Sequence, residues 1–410
     1  MRKLGKSILL ILVIFFGAVG GYLVSNIPFA EIKELPDKIT VSNQDLDTLT
    51  DNQNFGFMIK SKLSGNLETS DKGSSNIKLN IKLLNIITLK QIDVDVKDIS
   101  VWTGGDTVGF SLTSNGVIVV GSSSVTTENG SVNTLSNADI KSGDVLLEIE
   151  GEKINRVGDL SRIANKEENQ GKTLTIKIRR NGKEQETKIT PAKDIQTQKY
   201  KLGLWVKDDM SGVGTLTYVR QDNNRFGALG HAICDSESKE PFDVNGGDMY
   251  KCTVIGLNKA AKGKPGEIKA LFVQSGNNSI GSVDKNNRYG IFGTYNSSKI
   301  EKLKKKETVK VGGRWTAKPG KAKIRVNLDD EIKDYDIEII KTNYQSSSSD
   351  KSMVIRVLDK ELLKKTGGII QGMSGSPIIQ NDRVVGAVTH VFVSDPTKGF
   401  GIYLDWMINE

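Results

Sequence analysis

A serine lies in a glycine-rich turn near the C-terminus, in residues 371–390, which read QGMSGSPIIQNDRVVGAVTH. A serine hydroxyl attacks a carbonyl carbon efficiently only when a base takes its proton and donors stabilise the oxyanion. Gly372 and Gly375 leave this turn free to direct the backbone N–H groups of Gly372 and Ser374 toward one point. The pattern therefore predicts acyl-transfer chemistry, with these two amides as the oxyanion hole.

The turn resembles the trypsin-like pattern Gly-x-Ser-Gly-x-Pro, which an apolar pair, a hairpin turn and an apolar strand follow. This resemblance selects Ser374 as the nucleophile over Ser376, because position 376 falls where that family usually has glycine. The alternative is a nucleophile elbow, Gly-x-Ser-x-Gly. It does not match, because position 376 is serine and Pro377 is poorly suited to the helix that follows such an elbow.

Two histidines are candidates for the base. His231 follows an apolar strand in RFGALGHAICD, and His390 lies on the strand after the serine hairpin. In trypsin-like folds the base comes early in the chain and the nucleophile late, from opposite barrels. His231 fits that order, whereas the strand that carries His390 would line the specificity pocket. We therefore expect His231 to accept the serine proton and His390 to be a structural residue.

The two cysteines, Cys234 and Cys252, leave two alternatives open. They could form a disulfide in an exported domain, although the sequence gives no distance between them. Together with His231 they could instead bind zinc, but a fourth ligand and a Cys-x-x-Cys knuckle are missing. We expect neither a metal nor an organic cofactor.

The N-terminus predicts a membrane anchor in residues 1–30. Arg2, Lys3 and Lys6 precede an uncharged run, residues 7–30. At about 1.5 Å per residue, this run is long enough for a helix to cross a hydrocarbon core of about 30 Å. The positive residues should stay in the cytoplasm, so the rest of the chain is exported. No convincing cleavage site follows, and we therefore expect an uncleaved anchor rather than a signal peptide.

Composition indicates a globular, turn-rich and mainly β protein. The 410 residues suffice for two or three domains, and they include 42 Gly, 8 Pro and 37% hydrophobic residues. The formal net charge is +8, spread along the chain apart from a basic run at residues 299–314. No aromatic residue interleaves that run as single-strand binding would require. We expect a solvated surface near an anionic membrane, and no nucleic-acid partner.

Residues 31–99 are polar and predict a stalk with a leading strand, while residues 100–192 form a separate unit. This unit resembles a PDZ domain, most closely in GDVLLEIEG at residues 143–151. Residues 108–111 resemble the loop whose amides hold a peptide carboxylate, so the predicted peptide-binding residues are Val108, Gly109, Phe110 and Ser111. Such domains add a peptide to a sheet edge. The alternative is a β-rich spacer without a ligand.

Residues 203–410 contain short apolar runs and turns without long helical periodicity. Two β-barrels or a sandwich fit this pattern. With the trypsin-like serine turn, the expected fold is a chymotrypsin-like double β-barrel.

The anchor, the PDZ-like unit, GALGHA and TGGIIQGMSGSP together resemble the stage IV sporulation protein B family, the membrane-anchored serine peptidases of endospore formers. The resemblance spans most of residues 85–410. It implies a catalytic triad of His231, Asp359 and Ser374. Spacing alone does not choose Asp359 over Asp329, Asp330, Asp334 or Asp336. Asp359 is also a good N-cap for the helical stretch KELLKK.

The resemblance also implies a role in endospore formation. The peptidase would sit in the forespore inner membrane with its catalytic domain in the intermembrane space, and self-cleavage would allow release. Its partners would be itself and a membrane-bound regulator of an intramembrane protease. Cleavage of that regulator would trigger maturation of a sigma factor. The alternative is a catalytically inactive, membrane-anchored PDZ scaffold.

Overall fold

The computed structural model describes residues 37–41, 63–69, 77–83, 87–234, 241–304, 307–314, 316–343, 345 and 349–410. The predicted anchor, residues 7–30, lies outside the described residues. Within the described ranges, no helix is both long and apolar enough to cross a bilayer.

The described elements are mainly strands. In the first third of the chain they are β1 (Lys38–Val41), β2 (Leu63–Thr69), β3 (Ile77–Leu83), β4 (Ile87–Val96), β5 (Ser100–Thr103), β6 (Thr107–Ser122), β7 (Val125–Thr127), β8 (Gly130–Val132), β9 (Val145–Ile149) and β10 (Glu152–Lys153). Next come α1 (Val157–Ala164), β11 (Leu174–Arg180), β12 (Lys183–Ile189), β13 (Ala192–Lys193), β14 (Tyr200–Lys201), β15 (Leu204–Arg220) and β16 (Arg225–Ala228). The rest are β17 (Val244–Lys251), β18 (Thr253–Asn258), β19 (Glu267–Leu271), β20 (Ser279–Asn287), β21 (Gly290–Tyr295), α2 (Ile300–Leu303), β22 (Thr308–Val311), β23 (Gly320–Asn327), β24 (Ile332–Thr342), β25 (Met353–Val357), α3 (Lys360–Thr366), β26 (Pro377–Gln380), β27 (Arg383–Val391), β28 (Lys398–Tyr403) and α4 (Leu404–Met407).

The predicted stalk contains a small sheet. Strands β1 to β4 form a four-stranded sheet in the order β1-β4-β3-β2. Leu79, Ile81, Ile92 and Val94 on the two middle strands are buried, so one face of the sheet is apolar. Strand β4 is the leading strand that the sequence predicted within residues 31–99. The neighbouring strands were not predicted, although β3 reads IKLNIKL and alternates apolar and polar residues as a strand does.

A compact unit with its own core spans β9 to β12 and α1. Leu160, Ile163 and Ala164 of α1 are buried against it, as the helical spacing predicted. The β11–β12 hairpin turns at Asn181 and Gly182, which both have positive φ values, 51° and 73°. An Asn-Gly pair tolerates this conformation at low cost, so the predicted hairpin is confirmed.

Two long strands tie this unit to the rest of the chain. Strands β6 and β15, with 16 and 17 residues, pair antiparallel along most of their lengths. The C-terminal part of β6 pairs with β9 and with the start of β15. The N-terminal part of β6 pairs with the end of β15 on one side and with β17 on the other. The same two strands therefore belong to the PDZ-like unit and to the sheet that follows it.

Strands β5 and β6 and the strands from β15 onward form three apolar cores. The first includes Phe110, Phe226 and Met249, and the second, the C-terminal core, includes Ile324 and Ile355. A third includes Tyr218, Phe292 and Ile402. Strand pairing nevertheless links β5, β6, β9 to β12, β15 to β17 and β20 to β28 into one network. The mainly β prediction is confirmed, but two separate closed barrels are not distinguished.

Candidate active site

The serine turn sits between the C-terminal core and a tight hairpin. Strands β26 and β27 form this hairpin around Asn381 and Asp382, which both have positive φ values. Met373 is fully buried in the C-terminal core, so it fixes the turn from beneath. Ser374 is only partly buried. Ser376 is fully buried, and its hydroxyl has no hydrogen-bond partner among the described residues. Exposure therefore favours Ser374 as the nucleophile, as the sequence predicted.

The amides of the serine turn divide into engaged and free donors. The Met373 amide donates to Ile370, and the Gly375 amide donates to Val388. The amides of Gly372 and Ser374, the predicted oxyanion donors, donate to no described residue. Gly372 has φ +95°, a conformation that side chains rarely adopt. The turn can thus offer these two amides to a developing negative charge.

The loop that carries His231 reverses sharply after β16. Leu229 and Gly230 have positive φ values of 65° and 73°. A positive φ is unusual for a residue as bulky as leucine, and Leu229 is held by burial in the first core. Gly230 packs closely on Thr389, where an added Cβ would come within 3.0 Å of the threonine side chain. The loop that carries His231 therefore contacts β27, the second strand of the hairpin.

Thr215 of β15 joins the two loops. Its amide donates to the Ser374 carbonyl at 2.9 Å, and its carbonyl accepts from the Leu229 amide at 3.2 Å. Its hydroxyl donates to the Gly372 carbonyl at 2.7 Å. Leu229 belongs to the core of Phe110 and Phe226, and Met373 of the serine turn belongs to the C-terminal core. The candidate site therefore lies where these two cores meet.

The two histidines are neighbours. The ring centroids of His231 and His390 are 5.0 Å apart, with an interplanar angle of 36°. His231 Nδ1 lies 2.9 Å from the carbonyl oxygen of Ala232, which accepts when Nδ1 carries the proton. In that tautomer Nε2 is left as a proton acceptor. The Ser374 hydroxyl, however, donates to the Thr389 carbonyl at 2.8 Å and not to His231.

Burial keeps both imidazoles neutral near pH 7. It lowers the pKa of His231 below the usual histidine range, while the Ala232 hydrogen bond and the Asp350 charge oppose this change. Burial and the neighbouring His231 also lower the pKa of His390. A neutral imidazole is the form that accepts a proton, so both rings have the charge state of a base.

Asp359 lies apart from this group in its described contacts. Its side chain accepts a hydrogen bond from the Leu362 amide at 2.9 Å and caps α3, while its own amide donates to Asp336. No described contact joins Asp359 to His231. The carboxylate that acts on His231 is that of Asp350. The triad role of Asp359 thus stays a prediction of the resemblance, and the helix-cap alternative matches the structure.

The two cysteines are both free thiols, with Cys234 exposed and Cys252 buried. Burial raises the pKa of the Cys252 thiol to about 12. Among the described residues, no group of three or more His, Cys, Asp or Glu side chains is arranged to hold a metal ion.

The structure corrects the predicted peptide-binding residues Val108, Gly109, Phe110 and Ser111. They lie in β6 and pair with β15 on one side and with β17 on the other. Val108 and Phe110 are fully buried, and Phe272 packs directly on Gly109. A central strand uses its amides in its own ladders, so none of these residues forms a free carboxylate loop.

An open groove of about 380 Å³ lies elsewhere on the PDZ-like unit, between α1 and the start of β15. Residues 204–207 pair with β6 on one edge, and no other described strand covers their second edge. The side chain of Trp205 is 61% exposed beside it. An uncovered strand edge facing a helix is the geometry in which an extended peptide adds to a sheet.

The loop at one end of this groove has free donors. The amides of Leu202 and Gly203 donate to no described residue, and Gly203 has φ +64°. The carbonyls of the same residues are engaged by Thr134 and Ser123. The sequence signal was KLGLWV, residues 201–206, a glycine between two leucines at the start of a strand. The sequence analysis placed residues 203–206 at the start of the peptidase domain instead.

Comparison with protein families agrees with this architecture. A family model described as SpoIVB peptidase S55 matches residues 198–408, just over half of the chain. A model described as PDZ domain matches residues 107–190. The predicted PDZ-like unit and the predicted family resemblance are both confirmed.

Proposed function

Because the chain belongs to the SpoIVB peptidase S55 family of serine peptidases, we propose that it cleaves peptide bonds through Ser374 and His231. His231 Nε2 takes the proton of Ser374 Oγ as this oxygen bonds to the substrate carbonyl carbon. The proton passes to the leaving amine as the C–N bond breaks, and water then releases the acyl group by the same steps in reverse. The Gly372 and Ser374 amides stabilise each oxyanion.

One observation carries this proposal. The two amides without partners flank Met373 in the serine turn, and the Thr215 hydrogen bonds hold this turn beside the loop that carries His231. A turn that served only as a structural corner would be expected to engage most of its amides internally. No metal or organic cofactor is needed for this chemistry.

We place the reaction in endospore formation, as the family resemblance implies. The anchored peptidase would face the intermembrane space from the forespore inner membrane, cleave itself, and then cleave a membrane-bound regulator of an intramembrane protease. That cleavage would trigger sigma-factor maturation. The groove beside α1, with the Leu202 and Gly203 amides at its end, would bind a peptide carboxylate from the chain itself or from the regulator.

The alternative function is an anchored PDZ scaffold without catalysis. The hydrogen bond from Ser374 to Thr389 favours this alternative, because it directs the hydroxyl proton away from His231. Apo active sites often have poorly aligned catalytic hydrogen bonds that form only with substrate, so this bond is also compatible with a resting enzyme.

Incubation of the purified full-length chain separates the two functions. We expect the wild type to generate new N-termini, identified by terminal sequencing, and Ser374→Ala to remain intact. A membrane fraction of the Ser374→Ala chain should retain residues 1–30. A wild type that stays intact and takes up no fluorophosphonate probe would support the scaffold.

A further inference from the structure

Asp350 and His390 lie beside the proposed base but have no part in the mechanism described above. His390 stacks against His231 with centroids 5.0 Å apart, and Asp350 Oδ2 lies 3.6 Å from His390 Nδ1. The order in space is therefore carboxylate, imidazole, imidazole.

Thr389 fixes Asp350 relative to the serine turn. The Thr389 hydroxyl donates to the Asp350 carbonyl at 2.9 Å, and the Thr389 carbonyl accepts from Ser374. Thr389 is almost fully buried, so this connection is rigid. The segment before β25 is thereby held against the strand that carries His390.

His390 Nδ1 is buried and has no hydrogen-bond partner among the described residues. The 3.6 Å to Asp350 exceeds hydrogen-bond length, which reaches about 3.2 Å for nitrogen donors. A movement of about half an ångström would bring the two atoms within that limit. Because a buried unpaired nitrogen costs free energy, the contact is expected to close.

We propose that Asp350 and His390 are positioning residues for His231. Asp350 accepts the Nδ1–H of His390 and fixes its ring, and this ring in turn holds the His231 imidazole against the serine turn. The Asp350 charge also stabilises the imidazolium that forms on His231. Neither residue touches substrate or exchanges a proton, since the serine proton moves only to His231 Nε2 and then to the leaving amine. This inference rests on the proposed function.

The charges around the histidine pair make the inference testable by pH. Asp350 and Lys351, which precede β25, act on the histidine pair. The two rings also act on each other, His231 from the loop after β16 and His390 from β27. Asp350 raises the pKa of both rings, and Lys351 lowers that of His390. Loss of the Asp350 charge should therefore lower the pKa of His231. Loosening of the site should instead raise it, because water would relieve the burial.

The experiment is the rate of fluorophosphonate labelling of the full-length chain from pH 5 to pH 9. For Asp350→Asn we expect a maximal rate at least tenfold below that of the wild type, with its midpoint moved to lower pH. Asp350→Glu keeps the charge and should recover most of the rate. His390→Phe keeps a ring but loses Nδ1, and it should also slow labelling. Asp382→Asn, at the exposed tip of the β26–β27 hairpin where the positive φ suits asparagine, is the matched control and should label within twofold of the wild type.

Three results would overturn the inference: an unchanged rate in Asp350→Asn, a midpoint that moves to higher pH, or a loss of labelling in Asp382→Asn as large as that in Asp350→Asn. Thermal melting of each variant shows whether a lost rate reflects unfolding, and a variant that melts early without rescue by Asp350→Glu would also count against the proposal. If the wild type takes up no label, or Ser374→Ala still does, the proposed function itself fails, which is a different result.

Discussion

The Ser374 hydroxyl donates a 2.8 Å hydrogen bond to the carbonyl oxygen of Thr389. A proton held by a carbonyl is not available to a base, so in the proposed mechanism this bond must break before His231 accepts the proton. The strand that carries Thr389 also carries His390. Substrate that pairs with this strand would compete for the same carbonyl and free the hydroxyl.

Substitution of the two serines of the turn, Ser374 and Ser376, should have different effects on activity and stability. Ser374→Ala should abolish fluorophosphonate labelling and cost about 1 kcal/mol of stability, the usual value of one hydrogen bond. Ser376→Ala removes a buried hydroxyl that has no described partner, so it should keep labelling and lose no stability. Labelling and urea denaturation of both variants provide the measurement. An active Ser374→Ala protein with an inactive Ser376→Ala protein would reverse the assignment.

Gly372→Ala should damage the oxyanion hole. The residue has φ +95°, and an added Cβ would come within 2.9 Å of Ile268. The turn must shift, and its amides with it, so we expect peptide hydrolysis to fall about 10²-fold or more. Gly256→Ala is the control, because an added Cβ there meets nothing within 4 Å. Equal kcat values for the two variants would exclude a role for the Gly372 amide.

Gly203→Ala should weaken peptide binding in the groove without changing the serine site. With φ +64°, an added Cβ would come within 2.6 Å of the Ser123 carbonyl, so the loop and its free amides must move. We expect a labelled peptide with a free C-terminal carboxylate to bind Gly203→Ala about tenfold more weakly than the wild type. The same peptide with an amidated C-terminus should bind poorly to the wild type and to every variant. Gly158→Ala on α1 meets nothing within 4 Å and is the control. Wild-type binding of the amide form would exclude carboxylate recognition.

Asp359 should behave as a helix cap in stability measurements. Asp359→Ala leaves the Leu362 amide without its acceptor and should cost about 1 kcal/mol in the free energy of unfolding. Asp359→Asn should cost only a few tenths, because asparagine caps almost as well. Urea denaturation of the two variants distinguishes them. If both lose the same stability, the hydrogen bond to Leu362 is not what Asp359 contributes.

Acid should destabilise the fold through His231. Its pKa in the folded chain is lowered by burial, so below about pH 6.5 the unfolded chain binds more protons than the folded one. Stability is therefore greatest above that pH and falls as pH decreases, by up to roughly 1.4 kcal/mol per unit for this histidine. Asp222, whose pKa is about 2, does not titrate in this range.

Urea denaturation at pH 7.5, 6.5 and 5.5 tests this dependence, with His231→Gln as the comparison. The variant should lose less stability than the wild type between pH 6.5 and 5.5. Parallel losses in the two proteins would show that other groups cause the acid sensitivity.

Features that depend on a few adjacent residues could be predicted from the sequence. The Gly-Met-Ser-Gly-Ser-Pro turn indicated the partly buried serine and its two free amides, because glycine positions decide which backbone conformations are open. Asn181 and Gly182 indicated a hairpin for the same reason. The spacing of Leu160, Ile163 and Ala164 indicated the buried face of α1.

Tertiary structure alone decided which distant segments meet. Residues 108–111 have a sequence that suits a carboxylate loop, but pairing with β15 and β17 on both edges removes that use. The groove is lined instead by residues 202–206. Asp350, and not the predicted Asp359, contacts the histidine pair. Local periodicity indicates a strand and its buried face, but it does not indicate which strand, a hundred residues away in the chain, will pair with it. That choice depends on how the whole chain buries its apolar surface.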